Sequence, residues 1–265
     1  MPSNTRVAPA QPDTSKSTNR SLERGIDLLR AFGPGATLLT NSELVERTGL
    51  PKATVSRLAA TLVEAGFLEH DATRRAYRLG IPVLSVAQAM RSGSTLLQAA
   101  APMMRDTAQR LHINVGIAGA DGDEMVYLES VRYSARASLR TVVSGQRVPM
   151  ELTSLGRAWL AMQSPGDFMA MVERFRRRKQ SGWAALEKDI ADAVRAVHRL
   201  GYCVASWQPE VTALAAPLAI PGHSLMVLNF SVRTTDPTDT VVHSLAGPLL
   251  TLRDEIVSAT MQLES

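Results

Sequence analysis

Lys52 and Arg57, with the hydroxyls of Thr54, Ser56 and Thr61, fall within one ten-residue stretch, and Arg74, Arg75 and Arg78 follow closely around a polar turn. These residue types grip a charged polymer without making a covalent bond. Forked guanidinium and hydroxyl donors reach base edges in a major groove, and clustered arginines neutralise phosphates. Covalent chemistry has no comparable signal. Neither G-x-S-x-G nor G-x-x-x-x-G-K-[ST] occurs, and Gly116, Gly119 and Gly122 do not match the dinucleotide fingerprint. The five histidines lack short ligand spacing with cysteine or carboxylates, so neither a metal nor a cofactor is expected. The lone Cys203 sits in a strand-like run and reads as buried packing with a raised pKa.

The basic residues must be held by local structure, and residues 40–66 have the punctuation for it. Thr40 and Glu43 form a capping box that opens a first helix, and Gly49 ends it in a left-handed turn. Pro51 then suits the first position of a second helix, where no donor is lost. Val55, Leu58, Leu62 and Ala65 form its inward stripe, and Lys52, Ser56, Arg57, Ala60 and Thr61 take the other face. Residues 67–79 read as a β-hairpin with Tyr77 and Leu79 turned inward and the three arginines outward. Ahead of these, Ser21 is the expected cap of a buttressing helix whose apolar side is Leu22, Ile26, Leu29 and Phe32. Two helices with a basic hairpin make a winged helix-turn-helix.

The chain of 265 residues is long enough for two ordinary domains, and one cysteine excludes an internal disulfide framework. No apolar run is long enough to span a bilayer, so a cytoplasmic protein with no membrane partner is expected. The net charge of +4 is unevenly placed: residues 1–93 carry 12 Lys and Arg against 8 Asp and Glu, and residues 94–265 carry 17 of each. The excess positive charge thus lies in the half proposed to touch DNA. The run Arg174 to Lys179 reads as a solvated helix end or loop in a neutral domain.

Composition divides the chain into a disordered tail at 1–20, the winged helix-turn-helix at 21–80, a linker helix at 81–93 whose apolar surface suits dimerisation, and a mixed domain at 94–265. In that last domain the expected elements are a helix bearing Leu97, Ala100, Met104, Thr107 and Leu111, a hairpin across residues 113–131, and a strand at 139–143. A loop then enters a helix near Ser154, and a helix over 184–200 presents Leu186, Ile190, Ala193, Val197 and Leu200. Three strands and a closing helix with Val242, Leu245, Leu249, Leu252, Ile256, Ala259 and Leu263 complete it. The fold class is α+β, with helices over a mostly antiparallel sheet and one open face.

Four stretches in order, SLERGIDLLRAF, SELVERTGLPKATVSRLAATLVEAGFLEHDATRRAYRLG, GQRVPMELTSLGRAWLA and GYCVASWQPEVTALAAPLAI, resemble the IclR family of bacterial transcription regulators. The resemblance covers nearly all of residues 21–263. It implies a winged helix-turn-helix, a dimerising linker helix and a GAF-like effector domain. It further implies double-stranded operator DNA as partner, a homodimer or dimer of dimers, and a small organic effector. Family effector contacts carry over to Ser154 and Leu155, to Ala205, to Ala213, and to Asn229 and Ser231. Where members often have an acidic residue after Gly-Tyr, this chain has Ala205-Ser206-Trp207. Trp207 would then offer an aromatic face, which favours an aromatic or apolar-bodied acid, or else pack in the core. The competing classes are a ligand-sensing module without DNA binding and an enzyme built on the C-terminal domain.

Overall fold

The computed structural model describes residues 19–133, 143–179 and 181–265, and its contacts divide the chain between Val83 and Leu84. Most of the expected tail, and the expected strand at 139–143 except Val143, lie outside the described residues.

The first unit contains α1 (Arg20–Arg30), β1 (Leu39–Thr40), α2 (Asn41–Thr48), α3 (Lys52–Glu64), β2 (Leu68–Asp71) and β3 (Ala76–Leu79). Its α2 starts at the capping box. The Glu43 N–H donates to Thr40 Oγ1 at 3.3 Å and the Thr40 N–H donates to Glu43 Oε2 at 2.7 Å. Those bonds from Thr40 hold the Glu43 carboxyl below its ordinary pKa. Gly49 turns the chain at φ 67°, and Pro51 caps α3 from just outside it rather than filling its first position.

The start of α1 differs from expectation. Asn19, not Ser21, is the cap, its side chain accepting from the N–H groups of Ser21 and Leu22. The buried line is Gly25, Leu28 and Phe32, while Leu22 and Ile26 are 63% and 41% exposed. Leucines and isoleucine at 22, 26, 28 and 29 allow two stripes of helical spacing, and packing selected the one through Leu28. In α3 the same competition puts Ala59 in the core with Val55 and leaves Ala65 outside. Leu28→Ala should therefore destabilise this unit by about 2–5 kcal/mol. Ile26→Ala should cost well under half of that, as read from urea midpoints.

The three-stranded sheet has the order β1-β3-β2, so the wing is closed on one side by the strand that precedes α2. Within β3 it is Ala76 that is buried, whereas Tyr77 is half-buried against the His70 ring and Leu79 is 39% exposed. Tyr77 still packs on the core of this unit, as expected, and only Leu79, at the end of the strand, does not turn inward.

After α4 (Ile81–Ser92) come α5 (Thr95–Leu111), β4 (Asn114–Asp121), β5 (Glu124–Val131), β6 (Arg147–Pro149), α6 (Ser154–Leu160), α7 (Pro165–Arg178), α8 (Trp183–Leu200), β7 (Cys203–Ala205), β8 (Val211–Leu218), β9 (Met226–Arg233) and α9 (Thr238–Glu264). The six strands are antiparallel in the order β6-β5-β4-β9-β8-β7. Alternate residues of each strand face opposite ways. Val115, Ile117, Leu214, Leu228 and Phe230 pack with α5 and α9 in one core. Ala118, Tyr127, Ala215 and Val227 pack with α6, α7 and α8 in the other.

Both faces of the sheet thus carry helices, and the expected open face is not there. On that side α6 and α8 lie against the sheet, and α7, which was not expected, packs Phe168, Met171 and Phe175 into the same core, with Pro165 in its first turn. The basic run at its end is a helix terminus held by ion pairs: Arg174 and Arg178 reach Asp123 at 3.0 and 3.1 Å. Two helix ends also depart from their periodic stripes. Leu200 and Leu263 are 43% and 59% exposed, and Thr260 replaces Ala259 in the core by donating its hydroxyl to the Ile256 carbonyl at 2.8 Å.

Candidate nucleic-acid interface and ligand site

The outward face of α3 carries Lys52, Ser56, Arg57 and Thr61, all exposed, with Thr54 half-buried beside them. Two of the hydroxyls already have partners. Asn41 Nδ2 donates to Ser56 Oγ at 2.7 Å, which ties the start of α2 to α3, and Thr61 Oγ1 donates to the Arg57 carbonyl at 3.1 Å. Ser56 keeps a proton to donate, whereas Thr61 uses its own on the helix. Arg57 and Thr61 also line an open apolar groove of about 670 Å³ between α1 and α3, which includes Leu22, Ile26, Leu58, Leu62 and Phe67.

In the wing the three arginines differ. Arg74 pairs with Asp71 at 3.1 Å and Arg78 with Glu69 at 2.8 Å, both near the surface. Such exposed pairs contribute little to stability and are readily exchanged for a stronger anion. Arg75 stands at the tip of the turn with φ 49° and makes no ion pair among the described residues. The geometry therefore presents one unengaged guanidinium and two that are held in position by neighbouring carboxylates.

The second group of candidate residues lies on the sheet face turned toward α6. Gly116 pairs with Asn229, Ala215 with Asn229, Ala213 with Ser231, and Ala205 with Ala213. The expected contacts Ala205, Ala213, Asn229 and Ser231 hence share one face, floored by small residues. Ser154 and Leu155, in the first turn of α6, are fully buried in the layer that covers it. Cys203 joins the two, donating its thiol to the Ser154 carbonyl at 3.4 Å, and burial pushes its pKa up to about 12. It is packing, as its surroundings predict.

At the centre is a feature that the sequence reading missed. A methyl group on Gly116 would stand 2.5 Å from Tyr127 Cε1 and 2.6 Å from Asn229 Oδ1, so both side chains lean over bare backbone. Glycine within a strand is the available signal, since it marks a close approach of some other group. Burial pushes the Tyr127 hydroxyl up to about 12, opposed by the Asn229 side chain, so the phenol stays neutral. Asn229 is 3% exposed, and its Oδ1 has no hydrogen-bond partner. A buried amide oxygen left unpaired costs about 1–3 kcal/mol, a cost that a donor on a bound molecule would remove. Trp207 is neither core nor floor. It is 39% exposed in the loop after β7, which disposes of the packing alternative for it.

Among the described residues no group of three or more histidine, cysteine or acidic side chains is placed to hold a metal ion, and no helix is long and apolar enough to cross a membrane. The family model "IclR helix-turn-helix domain" matches residues 21–72, and "Bacterial transcriptional regulator IclR C-terminal" matches residues 88–235. The chain is 31% identical over 248 residues to the HTH-type transcriptional regulator TsaQ1/TsaQ2 of Comamonas testosteroni, covering 91% of this chain and 88% of that one. Among solved structures, an IclR family transcriptional regulator from Brucella abortus is 31% identical with a TM-score of 0.83, covering 93% and 94% of the two chains. An IclR homolog from Microbacterium hydrocarbonoxydans, complexed with 4-hydroxybenzoate, shares the fold at 22% identity and TM-score 0.69, covering 91% of this chain and 99% of that one.

Proposed function

Because this chain belongs to the IclR family of bacterial transcriptional regulators, we propose that it reads operator DNA with α3, clamps the backbone with its wing, and changes its grip when a small organic molecule binds over Gly116. Lys52 and Arg57 meet the major groove, with the Ser56 and Thr54 hydroxyls beside them, and Arg75 meets a phosphate. Arg74 and Arg78 follow by exchanging their carboxylates for phosphate oxygens. Two chains meet along α4, whose Ile81, Leu84, Val86 and Met90 are more than half exposed. A homodimer built there sets two recognition helices about one helical turn of DNA apart.

Ligand control rests on one observation, the buried unpaired Oδ1 of Asn229 above Gly116. The oxygen asks for a donor, the Tyr127 hydroxyl can donate or accept, and Ala213, Ala215 and Ser231 put no large side chain on that face of the sheet. A hydroxylated aromatic acid fits that description, and 4-hydroxybenzoate in the Microbacterium homolog is an example of the class. Ser154, Leu155 and Ala205 wall the site, and the exposed Trp207 stands in the loop that continues from it.

The DNA assignment is tested by pairing two variants. Arg57→Ala should weaken binding to the selected operator by about 1–3 kcal/mol and relax preference at one base pair. Arg75→Ala should weaken specific and random DNA alike and reduce the salt slope by about one. Equal losses on operator and random DNA for Arg57→Ala would remove it from the groove. The operator itself comes from sequencing genomic fragments retained by the purified protein, repeated with a panel of aromatic acids that includes 4-hydroxybenzoate.

A further inference from the structure

The Gly116 site and the linker helix are joined by one side chain. Along β4 and β5 the register runs Ile117 to Glu129 and then Ala118 to Tyr127, so Leu128 is an extra residue with no partner on β4. Bulges of this kind leave a ladder carbonyl free and let a strand change its twist without losing its neighbours. Here the freed Leu128 carbonyl accepts from Arg91 Nη1, and Glu129 Oε2 accepts from Arg91 Nη2 at 2.7 Å. The second oxygen of Glu129 is fixed by the Ser130 N–H at 3.0 Å, which orients the carboxylate toward the arginine. Arg91 belongs to the last turn of α4, and Tyr127, which leans over Gly116, is the residue just before the bulge.

We propose that Arg91 is the positioning residue that carries the state of the Gly116 site to the linker helix, by clasping the bulge beside Tyr127. The inference rests on the reading of that site as the ligand pocket. A molecule seated against Asn229 must displace the Tyr127 ring or be held by its hydroxyl, and either event acts on the backbone at the adjoining bulge. Arg91 holds that bulge with two bonds from one planar fork, so a change of twist at Leu128 alters one bond relative to the other. The last turn of α4 is then gripped or released. An arginine at this position is explained by the fork; an aliphatic side chain could hold neither acceptor, and a lysine lacks the planar fork that fixes the two together.

The test needs neither DNA nor the natural ligand, so failure of the DNA reading and failure of this proposal are separable. Amide hydrogen exchange across residues 81–92 is followed in the full chain, in Gly116→Ala, in Arg91→Ala and in the double variant. The Gly116→Ala methyl group forces Tyr127 and Asn229 apart and so imitates occupancy; Tyr127→Leu, which removes the ring that a seated molecule would displace, serves in its place should that chain not fold. With Arg91 present, the substitution should speed exchange in the last turn of α4 by about fivefold or more. With Arg91→Ala, the helix exchanges fast already and the second substitution adds nothing. No change in α4 exchange from either substitution, or the same change with and without Arg91, overturns the proposal.

Discussion

A chain carrying Gly156→Ala is expected to lose about 3 kcal/mol or more of stability, beyond the usual cost of one added methyl group. The reason is where the methyl group would go. Built on Gly156, it meets the Met150 carbonyl oxygen at 2.0 Å, its Cα at 2.4 Å and its carbonyl carbon at 2.5 Å. All three are backbone atoms, so no side chain can rotate out of the way. The loop between β6 and α6 is itself pinned, since Thr153 donates its hydroxyl to the Pro149 carbonyl at 2.9 Å and accepts from the Gly156 N–H at 3.2 Å. Relief requires moving the first turn of α6, and with it Ser154 and Leu155 over the proposed ligand site. Gly247→Ala is the control, because nothing lies within 4 Å of the methyl group it adds within α9. Alanine there should stabilise by about 0.5–1 kcal/mol. Urea denaturation of both chains distinguishes crowding from helix propensity: a small loss at Gly156 would mean that the loop can shift freely.

The features legible in the sequence were those set by a few neighbouring residues. The capping box at Thr40 and Glu43, the left-handed Gly49 and the turn at Gly122 are decided within four positions, so the sequence states them outright. Choices settled by distant partners were harder. α1 could bury Leu22 and Ile26 or Leu28, and only packing against α2 and α3 separates the two. α7 was missed although Phe168, Met171 and Phe175 recur at steps of three and four behind Ser164 and Pro165, because the sequence reading took up only the basic end of that segment. The open face failed because α6 and α8, both expected, lie directly on the sheet. β6 escaped for another reason, being three residues ending in proline and paired only with the edge of β5. At the proposed ligand site, the strand residues chosen by family resemblance, Ala205, Ala213, Asn229 and Ser231, do share one face. The resemblance gave no hint of Tyr127, because its role depends on its ring reaching over Gly116 across the bulge: Tyr127 itself pairs with Ala118, and Gly116 with Ser130.

Asn229→Leu should leave the protein about as stable as before and deaf to its ligand. An amide buried to 3% exposure keeps the Tyr127 hydroxyl as a partner, while its Oδ1 has lost its water and gained none. Leucine has a similar span and nothing to desolvate, so the variant should recover on the order of 1 kcal/mol at Oδ1 and give up about as much by leaving the Tyr127 hydroxyl alone. The gain is bounded by space, because Gly116 and the Tyr127 ring close on the same point and a branched tip must share it. In the unchanged protein, an aromatic acid at about a hundred times its Kd should raise stability by about 2.7 kcal/mol through binding to the folded state alone. In Asn229→Leu that increment should vanish, while operator affinity without ligand stays within twofold, since α3 and the wing are untouched. Responsiveness is then lost without a matching loss of stability, as expected where a polar atom is kept unsatisfied for a ligand to complete. A structural amide behaves the other way. Were Asn229→Leu destabilised by 2 kcal/mol or so with its ligand increment intact, Asn229 would be holding β9 in place, and the contact that carries the proposed ligand site would be gone.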